Sequence, residues 1–169
     1  MDLKQHIRQV PDFPKPGILF YYISTLLAHP DAWQETVRQL EAAVRPEKPD
    51  ILAGIESRGF IFGVGVARAL GAGFVPVRKP GKLPRATIRR EYQLEYGVDA
   101  VEMHFDAVRE GQRVLIIDDV LATGGTMGAT CELFAEAGVE VVGAAVLIEL
   151  EFLAGVEKVP IAVHAVLRY

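Results

Sequence analysis

The chain has 169 residues, half of them hydrophobic, a formal net charge of −4 at neutral pH and one cysteine. That length holds one domain with a substantial core and is too short for two, and the acidic balance argues against a general nucleic-acid binder, which presents a net basic face. No apolar run reaches membrane-spanning length and the opening MDLKQHIRQV lacks the apolar centre of a secretory leader, so a cytoplasmic protein with no membrane partner is expected; a lone Cys131 suits a reducing compartment.

In chain order, Pro11 to Leu27 mixes Pro, Gly and aromatics, which predicts an ordered irregular arm ending in a short helical turn. Asp31 and Gln34 form a capping-box pattern ahead of Trp33, Val37, Leu40 and Val44 at helical spacing, and Pro46 and Pro49 should end that helix. Ile51 to Ile55 reads as a short apolar strand, Gly59 to Leu70 as a mostly apolar helix stopped by Gly71, and Phe74 to Val77 as the next strand. Partial alternation of Ile88, Tyr92, Leu94, Tyr96, Val98 and Val101 predicts a twisted hairpin between Thr87 and Phe105. A helix from about Thr126 to Ala137 with Gly138 as its cap, a strand from Val139 to Ile148 and a last strand near Ile161 to Leu167 complete the pattern. Strands alternating with helices imply an α/β fold with a mainly parallel central sheet flanked by helices.

The run Val114 to Thr126, VLIIDDVLATGGT, carries the most chemistry. Its four leading apolar residues suit a strand buried on both faces, with Asp118 and Asp119 expected at its carboxyl end, where open α/β sheets bind ligands. The loop Ala122-Thr123-Gly124-Gly125-Thr126 precedes a helix, so its main-chain N–H groups can converge on an anion. Paired carboxylates would repel a bare polyphosphate, yet they fit the two hydroxyls of a ribose whose 5′-phosphate fills the loop. A bland turn with exposed acids would not require the strand, acids, glycines and hydroxyls together. Arg78, Lys79, Lys82, Arg85, Arg89 and Arg90 concentrate positive charge among Pro80, Gly81 and Pro84; a solvated loop accounts for the charge, a hood over a polyphosphate for charge and breakers both.

Other motifs fail on detail. Gly124-Gly125-Thr126 lacks the Lys of a P-loop, Gly63-Val64-Gly65 lies within a helix with Arg68 in the third glycine's place, the four histidines have no metal-ligand spacing, and no nucleophile elbow occurs.

VLIIDDVLATGGT resembles the phosphoribosyl diphosphate (PRPP) signature of the type I phosphoribosyltransferases. Three further blocks narrow the resemblance to members acting on adenine: Pro11 to Phe20 (PDFPKPGILF), Glu56 to Phe60 (ESRGF), and Arg78 to Pro84 (RKPGKLP) with Leu94 to Gly97 (LEYG). The resemblance implies that residues 1–169 form one domain of the type I phosphoribosyltransferase fold, with a base-binding arm at about 10–27 and a small hood or flap at about 79–105. It implies purine salvage: transfer of 5-phosphoribosyl from PRPP to N9 of adenine, giving AMP and diphosphate, with Mg2+ held by PRPP and water rather than by protein ligands, in a homodimer. Ala122 to Thr126 would hold the 5′-phosphate, and Asp118 and Asp119 the ribose hydroxyls and the developing positive sugar. Arg58, with the amides around Ser57 and Gly59, and Arg78, Lys79 and Lys82 would clamp diphosphate. Glu95 would handle the purine proton, Tyr96 would help hood closure, and Leu19, Phe20, Tyr21 and Leu150 would enclose the base. The family also implies a non-proline cis peptide between Glu56 and Ser57 and commonly has an acid where this chain has Tyr22. A sister enzyme for another purine base, or a PRPP-sensing regulator that binds nucleic acid, are the alternatives; the Pro11 to Phe20 arm weighs against the first, the acidic balance with Arg58 and Glu95 against the second.

Overall fold

The computed structural model describes residues 1–94 and 97–169, so the expectations placed on Glu95 and Tyr96 lie outside the described residues. The centre is a five-stranded parallel sheet in the order β4-β3-β7-β8-β9, formed by β3 (Ile51–Ile55), β4 (Gly73–Val77), β7 (Arg113–Leu121), β8 (Glu140–Glu149) and β9 (Val163–Arg168). Around it lie α2 (Pro30–Val44), α3 (Gly59–Leu70) and α4 (Gly125–Glu136), which confirms the α/β expectation.

The unbroken apolar strands follow from the two faces of this sheet. Val114 and Ile116 of β7, with Ala144 and Val146 of β8, join a cluster containing Met127, Leu133 and Phe134 of α4. Their neighbours Leu115 and Ile117, with Ala145 and Leu147, join a second cluster with Leu40 of α2 and Phe62 of α3. Alternate side chains meet different helices, so these eight positions are all shielded from water and all apolar. Glycines permit close layering: a Cβ on Gly63 of α3 would lie 2.6 Å from the Phe74 ring and 2.9 Å from Ile117 Cγ2.

Two antiparallel hairpins flank the sheet. One joins β1 (Arg8–Pro11) to β2 (Leu19–Tyr22) and leads through Ile23 into α1 (Ser24–Leu27). The predicted arm is thus half strand, because the Pro-Gly segment between Pro11 and Leu19 is the hairpin's loop and not its whole extent; the Phe13–Pro14 bond in it is cis. The other pairs β5 (Thr87–Gln93) with β6 (Val98–His104), as the alternation predicts, and Leu94 N–H donates to Gly97 C=O at 2.9 Å across its tip.

Some boundaries shift. Helix α2 is capped by His29, whose Nδ1 accepts from Ala32 N–H at 3.3 Å, with Pro30 at the first turn, so Asp31 lies inside the helix instead of capping it. The last strand begins at Val163 rather than Ile161. Among the described residues no helix is long and apolar enough to cross a membrane.

Candidate active site

The acids stand in the carboxyl-terminal part of the central strand, as expected, and the strand runs on past them. Strand β7 continues through them to Leu121, paired with β8 as far as Leu121 opposite Glu149, whereas its pairing with β3 stops at Gly54 opposite Ile117. The neighbour ends, not the strand: β3 turns away at Glu56–Arg58 and uncovers one edge of β7 where Asp118 and Asp119 lie. Crevices of this kind, where one parallel strand diverges from another, are where open α/β sheets take ligands.

The turn that makes the crevice contains the cis peptide between Glu56 and Ser57. It delivers Arg58 to the start of α3 and Gly59 against β7, where an added Cβ would stand 2.8 Å from Ile117 O and 3.0 Å from Asp118 Oδ1. Gly59 is therefore required by the close approach of helix and strand. Arg58 Nε donates to Asp119 Oδ2, and its guanidinium lies 5.7 Å from the Phe20 ring centroid.

Beyond Leu121 the chain turns through Ala122 to Gly124 into α4. Gly124 has φ of 80° and no side chain caps the helix, which leaves its first N–H groups directed at the turn. The turn is buttressed from behind by the residues after β8. A Cβ on Gly124 would fall 2.1 Å from Gly155 O, and one on Gly155 would fall 2.1 Å from Ala122 O. Gly155 gave no signal in the sequence, since nothing there shows that the 151–158 segment backs the 122–126 loop.

These elements enclose a cavity of about 530 Å³ whose walls include Leu19, Phe20 and Tyr21 from β2, Ser57 and Arg58 from the cis turn, Lys79, Asp118, Asp119, Ala122, Thr126 and Leu150. Opening beside it is a cup of about 90 Å³ lined by Asp118 and Ala122 through Thr126. Predicted base, sugar and phosphate residues from distant parts of the chain thus surround one space. Arg78 and Lys82 instead sit at its rim, where both pair with Glu56, at 3.2 and 3.5 Å.

The cations are all held by acids. Besides Arg58 on Asp119, Lys79 Nζ pairs with Asp99 and donates to Tyr92 Oη at 2.8 Å. Burial alone would raise the Glu56 carboxyl, but the Lys79 N–H at 2.8 Å, Arg78 and Lys82 outweigh it and hold it below its usual range. At Asp99 burial likewise opposes, and Lys79, the Ala100 N–H and Tyr92 prevail in the same downward direction. Asp118 is the opposite case: burial and then the like charge of Asp119 push its carboxyl well above the usual range, against the Asp119 N–H that it accepts at 2.8 Å.

Tyr92, Asp99 and Glu56 are the polar residues the sequence reading did not assign. Tyr92 and Asp99 are Cα partners across the hood hairpin, so fixing its register would have revealed the pair. At Tyr22, where the family resemblance implies an acid, the exposed ring lies 6.4 Å from that of Phe20, and Thr25 Oγ1 ties the following helix to His6 C=O at 2.6 Å. Aromatic contact and a hydroxyl bond support the arm in this chain.

Residues 23–159 match the model of the phosphoribosyl transferase domain family. A curated adenine phosphoribosyltransferase of Rhodospirillum rubrum is 59% identical over 169 residues, 100% of this chain and 99% of that protein. The corresponding protein of Rhodospirillum centenum is 55% identical with the same coverage. The crystal structure of adenine phosphoribosyltransferase from Rhodothermus marinus superposes with a TM-score of 0.94 at 53% identity, covering 99% of this chain and 96% of that one. That of Saccharomyces cerevisiae, complexed with an imino-altritol bisphosphate and adenine, gives 0.93 at 39% identity, covering 98% and 97%.

Proposed function

The chain belongs to the adenine phosphoribosyltransferases, and on that premise we propose how its cavity carries out purine salvage. The enzyme transfers 5-phosphoribosyl from PRPP to N9 of adenine and releases AMP and diphosphate. The observation that carries the reading is the cavity bounded at once by Ala122 and Thr126 of the loop, the Asp118–Asp119 pair and the β2 arm.

The 5′-phosphate seats in the cup, on the N–H groups at the start of α4 and the hydroxyls of Thr123 and Thr126. Asp118 and Asp119 accept from the ribose hydroxyls and, lying beneath the ring, stabilise the positive charge that develops at C1 as the bond to diphosphate breaks. Arg58, Lys79, Arg78 and Lys82 receive the departing diphosphate, with main-chain N–H groups at Ser57 and Gly59 in support. The site's carboxylate pair offers oxygen donors alone, which suits a hard cation arriving on the substrate; Mg2+ so carried supplies neutralisation of diphosphate charge. Glu95 takes the proton lost from the purine, and Tyr96 assists hood closure.

Adenine lies between Phe20 and Leu150. Strand β2 belongs to a two-stranded hairpin, so half of its main-chain N–H and C=O groups at Leu19 to Tyr22 point away from β1 and can pair with the N1 and 6-amino edge of the base. A 6-oxo purine reverses donor and acceptor at that edge and leaves both protein groups unpaired. The whole chain acts as one catalytic unit with its arm and hood, in the cytoplasm and as a homodimer, a state that sedimentation analysis checks.

Incubation with PRPP, Mg2+ and separate purines, followed by nucleotide chromatography, tests the assignment. AMP should form from adenine at least a hundredfold faster than nucleotides form from hypoxanthine or guanine. Preference for a 6-oxo purine would make the chain a sister enzyme, and nucleic-acid binding without AMP formation would make it a regulator.

A further inference from the structure

Tyr92 of the hood strand β5 touches both phosphate-handling parts of the cavity. Its oxygen is 2.8 Å from Lys79 Nζ, 2.9 Å from Thr126 Oγ1 and 3.0 Å from Asp99 Oδ2. A phenol has one proton to give and two lone pairs to offer. Here Lys79 and Thr126 donate and Asp99 accepts, so every capacity of that oxygen is used. The ring is fixed as well: a Cβ on Gly125 would lie 3.3 Å from Tyr92 Cδ2, so the missing side chain of the loop's second glycine is what lets the ring settle on the start of α4.

We propose that Tyr92 is a positioning residue that sets the distance between the 5′-phosphate loop and Lys79, and through Lys79 governs the grip on the diphosphate end of PRPP. The inference rests on the functional reading above. Lys79 stands on the segment after β4, and Thr126 on the first turn of α4; no strand pairing joins those two segments. The Tyr92 oxygen is the bond between them. Without it the Lys79 ammonium keeps Asp99 but loses its tie to the loop.

Tyr92→Phe retains the ring against Gly125 and deletes only the oxygen, so it separates this role from packing. Loss of one charge-assisted hydrogen bond should weaken PRPP about tenfold, in both the calorimetric Kd and KM, with kcat and adenine KM little changed. AMP, which has the 5′-phosphate and no diphosphate, should bind within about twofold of wild type. In a Lys79→Met background the same change should cost nothing further. Equal weakening of AMP and PRPP would reduce Tyr92 to a packing residue, and unchanged PRPP affinity or full additivity with Lys79→Met would also overturn the proposal. Binding is measured directly: a wild-type chain that binds PRPP but forms no AMP would refute the enzymatic assignment while the comparison of ligands still decides the role of Tyr92.

Discussion

The two regions of the cavity proposed to take the 5′-phosphate and the diphosphate are built from different materials. The 5′-phosphate loop is shaped by main chain on main chain, with Gly124 and Gly155 so close that neither position has room for a methyl group. The diphosphate side is shaped by side chains: Lys79 rests on Asp99, and Arg78 and Lys82 on Glu56. The contrast matches what each region would do under the proposed function. The 5′-phosphate stays with the sugar from substrate to product, and a rigid cradle loses no entropy in meeting it. Diphosphate has to be gripped and then let go, and a cation with a carboxylate to return to is never left uncompensated when it departs.

The largest disturbance should come from the rigid side. Gly124→Ala puts a Cβ against Gly155 O at a positive φ, so the loop must move; kcat/KM for PRPP should fall on the order of a hundredfold or more, with circular dichroism little altered. Wild-type kinetics in that variant would erase the distinction between the regions. Next, Asp118→Asn should lower kcat by about tenfold or more and yet stabilise the fold at neutral pH. Its carboxyl is raised in the folded protein, so ionisation opposes folding as pH rises above the ordinary aspartate value of about 3.9. The advantage of the Asn variant in thermal midpoint should accordingly grow as pH rises above that value and vanish on acidification below it.

Glu56→Gln on the hood side should show the reverse sign. Its carboxyl is lowered on folding, so its ionised form contributes stability above the ordinary glutamate value of about 4.3, and that contribution disappears as pH falls through the folded value. Urea titration near pH 7 should find the variant about 1–2 kcal/mol less stable, a deficit that closes in acid. Parallel pH trends in the two variants would contradict the opposite environments assigned to these acids. The smallest effect belongs to Lys82→Ala: its ammonium is half exposed, so stability should change by less than about 1 kcal/mol and PRPP KM by a few-fold.

What the sequence revealed divides along the same line. Most strands of the central sheet, the α3 boundaries with Gly71 and the 87–105 hairpin leave local signatures in periodicity and breakers, and those elements occur where expected, as do the Ala122–Gly124 turn ahead of α4 and the cis turn that the family resemblance implied. The β1–β2 hairpin was hidden by its Pro-Gly loop. Gly155, Glu56 and the Tyr92–Asp99 pair were hidden for another reason: their partners lie far away along the chain, and only the register of a hairpin or the packing of two loops brings them together. Asp118 and Asp119 lie toward the carboxyl end of β7 as expected, but the crevice beside them was not legible, because the length of the neighbouring β3, not of β7 itself, decides where it opens.

Cys131 sits inside α4, the helix that follows the Ala122–Gly124 turn; it is 4% exposed, and burial pushes its thiol up to about 11. A sulfur both shielded and protonated at neutral pH is inert toward alkylating reagents until the helix lifts away. The chain therefore contains a native stopwatch: the rate at which iodoacetamide labels it in the folded state reports how often α4 opens, and saturating AMP should slow that clock in proportion to how firmly the nucleotide fastens the helix down.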